Sequence, residues 1–511
     1  MRDITLAVMF VLLLALAAPA EAAKPNILLL TVDDMSADSI GAFGCKLPDT
    51  SPNVDRLAGE GVRFKHAHVQ TAACMPSRNA MLSGRYPHNN RVEGFYQVRD
   101  INYPVMADLM RGGGYFVAIR HKVGHSTPYS PYKWDLVLDQ PTDGGARLHA
   151  KDPASYGVST RQGIAAARAA KKPFCLNINV ADPHKPFYAE GRRGVTIDDP
   201  HVPSRVFKPD EIPVPGFLPD DPVVRKELAH YYSSVRRADD AVGEVLKALE
   251  ESGERENTVV IFLSDHGMPL PFAKTQLYHH STRTPWIVRW PGVTKAGATD
   301  ERHMIAGIDI LPTLLDIAGV EPPKGVDGRS IVPLLRGEPQ DGREMVFKEH
   351  NENSGGHRNP MRAVQTPTHL YIFNAWANGT RRMGTATNGT NTYRRMNELA
   401  ASDANVAARL KLADHRVLEE LYDVARDPDC LQNLIDDPAS RAELNRLRAA
   451  MAAWMKQTGD PLLESFEKRD DPAVREAFVK KREAESAERQ SSVAAGAGGR
   501  RGRRAAQAQD E

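Results

Sequence analysis

The chain has few cysteines and almost no net charge. Among its 511 residues there are four cysteines, and the 66 lysines and arginines nearly cancel the 65 aspartates and glutamates. Four widely spaced cysteines exclude the dense disulfide framework of a small secreted scaffold. A formal net charge of +1 leaves no global field that would attract nucleic acid. We therefore expect a local site, rather than a charged surface, to carry the function.

Long apolar runs are absent except at the N-terminus. The run from Ile4 to Leu16 follows Arg2 and is shorter than the ~20 residues that a membrane-spanning helix needs. It is followed by Ala20-Glu21-Ala22, an A-x-A cleavage signal, so residues 1–23 are predicted to be a secretory signal peptide. An uncleaved membrane anchor is the alternative. We expect an exported protein, periplasmic or secreted, without stable membrane insertion.

Four short apolar runs are each followed by polar residues, a pattern typical of buried parallel strands. The runs are Asn26–Val32 before Asp33-Asp34, Thr258–Leu263 before Ser264-Asp265-His266, Tyr115–Ile119 before Lys122 and His125, and Phe174–Val180 before Asp182-Pro183-His184. Ligands of open α/β sheets bind outside the carboxyl ends of the strands. One shared pocket is therefore predicted where these polar residues meet.

The length and texture of the chain predict two domains and a tail. Residues 24–343 are predicted to form an α/β catalytic domain, a mostly parallel sheet flanked by helices such as Val223–Ser252. Short strand-like runs in residues 344–463, with a helix near Ala439–Lys456, predict a smaller α+β domain with an antiparallel sheet. Residues 464–511 are charged and then rich in Ala, Gly and Arg, and we expect a disordered tail there.

The pentapeptide Cys74-Met75-Pro76-Ser77-Arg78 is the most informative motif of the chain. Pro76 suits the first turn of a helix, and Gly84 suits its C-terminal end. Cys74 is then expected just before a helix N-terminus, where the unpaired N–H groups and the helix dipole favour an anion. The alternative is that Cys74 is a small buried hydrophobic residue and nothing more.

Asp33, Asp34 and Asp265 follow two strands that are predicted to be neighbours. Clustered carboxylates repel one another unless a cation joins them, and oxygen ligands favour a hard ion such as Ca²⁺ or Mg²⁺. His266 is softer and suits transition metals better. The alternative is that the two adjacent aspartates only cap a helix.

Together these residues resemble the type I, formylglycine-dependent sulfatases of the alkaline-phosphatase-like superfamily. The resemblance is carried by Asp33-Asp34, the pentapeptide at Cys74, Lys122 with His125, His184, Asp265 and Lys274. The heparan N-sulfatase (sulfamidase) branch is similar through Asp182-Pro183-His184, the spacing from Asp265 to Lys274, and Asn359–Gln365. Two features are instead similar to iduronate-2-sulfatase, namely His266 and the spacing of Lys122 and His125.

The resemblance implies an alkaline-phosphatase-like fold and two cofactors. Formylglycine (3-oxoalanine) would be made from Cys74 by a formylglycine-generating enzyme, and its hydrate would be the nucleophile. Removing Cys74 from the count leaves three cysteines, so at most one disulfide is possible. One Ca²⁺ ion would be held by the side chains of Asp33, Asp34, Asp265 and His266, together with an oxygen of the modified Cys74.

Roles for the remaining site residues follow from the same resemblance. Lys122 and Lys274 would bind the sulfate and neutralise its oxygens, while Arg78 would stabilise the deprotonated hydroxyl. His125 would accept a proton, and His184 would protonate the leaving group. Asp182 would orient His184 or contact a sugar of the substrate.

These expectations favour a secreted hydrolase that removes sulfate from a sulfated saccharide, with N-sulfoglucosamine or a related heparan-type group as the substrate. Another O-sulfatase, acting on iduronate 2-sulfate or an algal polysaccharide, is an alternative. A phosphonate or phosphodiester hydrolase on the same scaffold is a second. The third is a non-catalytic exported glycan-binding protein in which Cys74 stays a thiol.

Overall fold

The computed structural model describes residues 24–140 and 147–496, so the predicted signal peptide lies outside the described residues. The strands are β1 Asn26–Val32, β2 Val62–His68, β3 Phe116–Arg120, β4 Leu136–Val137, β5 Phe174–Val180, β6 Thr258–Ser264, β7 Trp286–Arg289, β8 Ala298–Ala306, β9 Val346–Glu352, β10 Arg358–Gln365, β11 His369–Asn374 and β12 Glu419–Asp423.

The α-helices of the described residues include four single-turn segments and one helix of 30 residues. They are α1 Pro52–Glu60, α2 Cys74–Ser83, α3 Pro87–Asn90, α4 Met106–Gly112, α5 Pro153–Ala169, α6 Pro222–Glu251, α7 His279–Thr282, α8 Ile310–Ala318, α9 Val332–Leu335, α10 Asn391–Leu399, α11 Ala404–His415, α12 Arg441–Thr458, α13 Leu463–Glu467 and α14 Pro472–Gly496. None of the helices in the described ranges is long and apolar enough to cross a membrane.

The larger sheet has eight strands in the order β4-β3-β5-β1-β6-β7-β2-β8. β7 runs antiparallel to both of its neighbours, and the other pairs are parallel. The register pairs Val32 at the end of β1 with Val180 of β5 on one side and Ser264 of β6 on the other. The polar residues that follow these three strands therefore leave the same edge of the sheet, as predicted.

Helices cover both faces of this sheet and make it a three-layer α/β structure. On β1, Leu28 and Leu30 share a buried cluster with Leu228 of α6, whereas Ile27 lies in a second cluster with Leu314 of α8. Alternate side chains of a strand point to opposite faces, so a strand covered on both sides is apolar throughout. The predicted fold class is confirmed.

The smaller sheet is antiparallel, in the order β12-β11-β10-β9, and α12 packs on it. Leu447 and Met451 of α12 share a buried cluster with Tyr371 of β11. The sheet begins at Val346, next to the predicted boundary. Met304 of β8 belongs to the same cluster, so the two sheets share buried contacts and their division into domains stays a prediction.

The disorder predicted from residue 464 is wrong as far as residue 496. Helices α13 and α14 occupy this segment, and Val479 of α14 is buried. The charges that suggested a solvated tail have distant partners, such as Arg482 Nη2 at 2.6 Å from Glu93 Oε2. Composition does not show such pairing. Residues 497–511 lie outside the described residues.

Candidate active site

Cys74 lies in the middle of a buried polar cluster. It is the first residue of α2, one position further into the helix than expected, and Gly84 ends that helix with a φ of 63°. The Cys74 Sγ atom lies 3.2 Å from His266 Nε2, 3.6 Å from Asp33 Oδ1 and 3.9 Å from Asp34 Oδ1. Burial, with the acidic neighbours, raises the pKa of Cys74 well above its ordinary value, so the unmodified side chain is a neutral thiol.

The acids reach Cys74 because β1 and β6 are neighbours. Asp33 and Asp34 follow β1, Asp265 follows β6, and the Asp34 N–H donates to Asp265 Oδ1 at 3.0 Å. Asp34 has a φ of 67°, a left-handed conformation that is uncommon outside glycine and is found at functional sites. His184 joins from the loop after β5, with Nε2 4.0 Å from Asp34 Oδ2.

Three cations contact the three carboxylates, one each at close range. Lys122 Nζ lies 2.8 Å from Asp33 Oδ2, Lys274 Nζ lies 2.7 Å from Asp34 Oδ2, and Arg78 Nη2 lies 3.0 Å from Asp265 Oδ2. Burial alone would raise the pKa of Asp33, but Lys122, with His184 and Arg78, holds it well below its ordinary value. The formal charges of these six groups cancel.

The donor set fits a hard divalent cation. Ligand atoms of Asp33, Cys74, Asp265 and His266 all lie within 4.8 Å of one another, and the same holds for Asp33, Asp34, Cys74 and His184. Each set holds two carboxylate oxygens, the ligands that Ca²⁺ and Mg²⁺ prefer, with one imidazole nitrogen and the Cys74 sulfur as softer ligands. The predicted grouping of acids and His266 around Cys74 is therefore what the structure shows.

Three polar residues that sequence reasoning missed hold this cluster in place. Arg78 Nη1 donates to Asn179 Oδ1 at 2.6 Å and to Thr31 Oγ1 at 3.0 Å, and Ser77 Oγ donates to the Asp265 carbonyl at 2.7 Å. Thr31 and Asn179 are buried polar residues inside the apolar runs of β1 and β5. That interruption was a usable signal, because buried polar side chains need partners.

Asp182 does not have the substrate-binding geometry that was predicted. Its two carboxylate oxygens are taken by Lys151 Nζ at 2.7 Å and Arg237 Nε at 2.6 Å, and the residue is buried. Lys151 Nζ also donates to the His184 carbonyl at 2.6 Å. The geometry replaces sugar contact with a positioning role, because this ion pair fixes the loop that carries His184. Lys151, missed from sequence, completes that support.

His125 lies beside the cluster in the wall of an open cleft. Asn79 Nδ2 of α2 donates to the His125 carbonyl at 2.9 Å, and the His125 ring meets the Phe95 ring edge-on at 5.6 Å. The cleft has a volume of about 670 Å³ and is lined by Met75, Tyr96, Gln97, Lys122, His125 and Ser354 among others. Lys122 lines this cleft and pairs with Asp33, so it connects the cleft wall with the buried cluster.

The predicted site residues are thus mostly brought together. Nine of them meet in one cluster: Asp33, Asp34, Cys74, Arg78, Lys122, His184, Asp265, His266 and Lys274. His125 adjoins the cluster, and Asp182 lies buried behind it. The four cysteines are free thiols, so the one disulfide that the sequence allowed is not formed.

Known proteins share this fold and sequence pattern. Residues 25–320 match the family model described as Sulfatase, and residues 265–376 match one described as N-sulphoglucosamine sulphohydrolase, C-terminal. An ulvan-active sulfatase of Formosa agariphila is 28% identical over 455 residues, covering 87% of this chain and 82% of the relative. Human N-sulphoglucosamine sulphohydrolase is 28% identical over 469 residues, covering 86% and 91%.

A solved structure supports the fold alone. It holds its protein in complex with the substrate D-glucosamine-2-N,6-O-disulfate, and it superposes with a TM-score of 0.63 at 19% sequence identity. The match covers 86% of this chain and 99% of that one. The match to the Sulfatase family model extends over all the residues that form the cluster around Cys74.

Proposed function

This chain belongs to the sulfatase family, and from that premise we propose that it removes sulfate from an N-sulfoglucosamine or a related heparan-type group. The observation that carries the proposal is the buried cluster of three carboxylates and three cations around Cys74, which adjoins a cleft at Lys122. The match of residues 265–376 and the human relative support the N-sulfated substrate. Sulfated glycans are the broader class of substrate to which this group belongs.

The charges of the cluster suit a sulfate group once a metal ion is present. Three carboxylates and three cations cancel, so a bound Ca²⁺ ion leaves the site with two positive charges and attracts an anion. We assign that ion to Asp33, Asp34, Asp265 and His266. When bound, the ion would polarise a sulfate oxygen, and a hydrated formylglycine at position 74 would supply a hydroxyl nucleophile.

Two lysines would stabilise the charge that develops on the sulfate. Lys122 and Lys274 flank Cys74 from different elements, and each is anchored by a carboxylate that keeps it ionised. Beside Asp34, the pKa of Lys274 is raised even though burial alone would lower it. Fixed cations of this kind are worth ~10²–10³ in rate when one is removed.

Two histidines are proposed to move protons. His184 Nδ1 bonds to the Lys185 carbonyl at 2.6 Å, which turns Nε2 toward the cluster. Burial and Lys122 lower the pKa of His184 to about 3, so the ring would protonate the leaving group only after a bound anion favours its charged form. His125, in the cleft wall beside Lys122, would accept the proton released as the sulfate departs. Arg78 donates hydrogen bonds to Asp265, Thr31 and Asn179. It would keep the Asp265 carboxylate at a fixed position relative to the nucleophile.

Maturation and export complete the proposal. Formylglycine-generating machinery would convert Cys74, and residues 1–23 would direct the chain out of the cytoplasm before cleavage. Mass analysis of the peptide that contains Cys74 tests the first point, since conversion of the thiol to the aldehyde lowers the peptide mass by a fixed amount.

The activity test measures hydrolysis of a panel of substrates, as sulfate released from the sulfated compounds and as aryl alcohol released from the phosphodiester. The panel holds N-sulfoglucosamine, glucosamine 6-sulfate, a 2-sulfated iduronate disaccharide, an ulvan oligosaccharide and an aryl phosphodiester. We expect the highest kcat/KM on N-sulfoglucosamine, loss of activity to background in Cys74→Ala, and unchanged activity in Cys45→Ala. A preference for another sulfate ester would make that ester the proposed substrate, and a preference for the phosphodiester would overturn the proposal. An unconverted Cys74 with no turnover would favour the glycan-binding alternative.

A further inference from the structure

Helix α14 lies outside the predicted catalytic domain but supports one wall of the cleft. Tyr96 and Gln97 come from the loop of residues 93–97, and Ser354 comes from the turn between β9 and β10, residues 353–357. We infer that α14 is a clamp that holds this loop and this turn together, and that Arg482 and Arg489 are positioning residues for the saccharide part of the substrate. The role of the two arginines toward a saccharide depends on the proposed function, whereas the clamp itself does not.

The first half of the clamp is the grip on the loop. Arg482 Nη2 lies 2.6 and 2.7 Å from the two carboxylate oxygens of Glu93, whose side chain is only 6% exposed. The guanidinium of Arg489, two turns further along α14, lies 3.8 Å from the centre of the Tyr96 ring. Charge-assisted bonds and cation–π contacts of low exposure restrain the groups they join. Arg489 thus restrains the Tyr96 ring, which lines the cleft.

The second half is the grip on the turn. Arg489 also pairs with the carboxylate of Glu352, and Ser486 Oγ donates to the Gly356 carbonyl at 3.0 Å. Gly356 has a φ of 78°, and a Cβ there would lie 1.6 Å from Gln490 Nε2, so the turn and the helix are in close contact. The turn that carries Ser354 therefore takes its position from α14.

Arg358 joins the two halves into one network. Its Nη1 lies 2.6 Å from Glu93 Oε2 and its Nε lies 2.7 Å from Glu352 Oε2, so both acids are shared between β10 and α14. Arg482, Ser486 and Arg489 are spaced at i, i+4 and i+7, which places them on one face of the helix. Removing Arg482 leaves Glu93 with a single guanidinium and releases the loop from the helix.

Other contacts keep α14 docked when one member of the clamp is removed. Val479 is 1% exposed and belongs to the main hydrophobic cluster. Arg381 pairs with Glu483 and, at 2.9 Å, with Glu476, at a place that does not line the cleft. This second ion-pair group offers a matched control, because Glu483→Gln weakens a tie between α14 and the body of the protein without touching the loop or the turn.

Hydrogen exchange without substrate tests the clamp directly. In Arg482→Ala and Arg489→Ala we expect the amides of residues 93–98 and 353–358 to exchange at least ~10-fold faster, since local opening sets their protection. Glu483→Gln should leave both segments at the wild-type rate, and Arg482→Lys should restore most of the protection. Unchanged exchange in both arginine variants, or equal acceleration in Glu483→Gln, would overturn the inference.

Kinetics then test the link to the substrate. A displaced cleft wall should raise KM for the sulfated saccharide by roughly 5-fold or more with kcat within about 2-fold, because the wall contributes uniform binding. KM for a small aryl sulfate, which fills only the sulfate end, should stay unchanged. An equal loss of kcat on both substrates in the arginine variants would contradict the positioning role. Accelerated exchange in a protein that turns over no sulfate ester would uphold the clamp and refute the proposed function.

Discussion

Two buried clusters of ionisable groups in this molecule look alike in geometry and differ in what surrounds them. One is the set of acids around Cys74. The other is His88, Glu349 and Asp460, beside the smaller sheet, whose ligand atoms also lie within 4.8 Å of one another. In this second cluster Arg362, fully buried, lies between the acids, with Nη2 2.9 Å from Asp460 Oδ1 and Nε 3.4 Å from Glu349 Oε2.

The difference lies in how the negative charge is neutralised. Around Cys74, Lys122 binds Asp33 Oδ2 and Arg78 binds Asp265 Oδ2, and Asp33 Oδ1 faces the Cys74 sulfur. Lys274 contacts both oxygens of Asp34. In the second cluster one guanidinium bonds to Asp460 with both Nε and Nη2. A guanidinium fork satisfies carboxylates in a fixed geometry. Burial and charge are therefore shared by both clusters, and the first differs in that carboxylate oxygens of Asp33 and Asp34 face the Cys74 sulfur.

The largest expected effect separates the two clusters by calcium binding. Asp265→Asn should lower the calcium affinity at least ~100-fold, more than is typical for loss of an outer-shell partner, and abolish sulfate release. Glu349→Gln should leave the calcium affinity within about 2-fold, because Arg362 and the His88 ring already pair with the two acids of that cluster. Titration calorimetry on protein verified as folded measures both. Equal losses of calcium affinity in the two variants would show that the clusters had been distinguished wrongly.

The second prediction concerns stability. Arg362→Leu leaves Asp460 buried without its counter-ion and Glu349 with His88 alone, which should lower the free energy of unfolding by ~3–5 kcal/mol. The matched control is Arg446→Leu, which removes a surface pair with Glu443 whose side chains are 49% and 23% exposed, and should cost at most ~1 kcal/mol. Urea denaturation measures the difference. A cost in Arg362→Leu no larger than in the control would mean that the second cluster does not depend on its arginine.

The site was predictable from sequence where it depends on single strands. β1 and β5 are mostly apolar runs, so their bounds and the polar residues after them could be predicted from hydrophobic pattern alone. The partners of Asp182 could not, because Lys151 and Arg237 come from other elements and only packing brings them together. Helix α14 was missed for the same reason.

Long-range pairing explains that last error. Arg482 and Glu93 are 389 positions apart, and a charged segment reads as solvated until its partner is known. Similarly, the side chain of Asn179 becomes meaningful only when β5 lies beside β1 and Arg78 reaches it. Side-chain type at the end of a strand can be predicted from sequence, whereas the support behind that side chain depends on the completed packing.

The smallest expected effect compares buried lysines. Lys122 and Lys274 each have a carboxylate partner, whereas Lys348 of β9, also buried, donates to the amide oxygen of Gln365. Burial lowers the pKa of Lys348 to about 7. An unfolded lysine titrates near ~10.4, so between pH 7 and 10 the unfolded state binds more protons, and stability should rise with pH through that window. The rise contributed by Lys348 is ~2 kcal/mol from pH 7 to 9.

Lys348→Met should remove this pH dependence. The variant is expected to be more stable than the wild type at pH 7, because no charge has to be buried, and its advantage should shrink toward pH 9 as the folded wild type becomes neutral at this position. Lys468→Met, on the surface, should show no pH-dependent difference. Urea denaturation at the two pH values measures the change. A stability difference that is the same at both would mean that Lys348 keeps its proton in the folded protein, and that a buried lysine here does not need a carboxylate to stay charged.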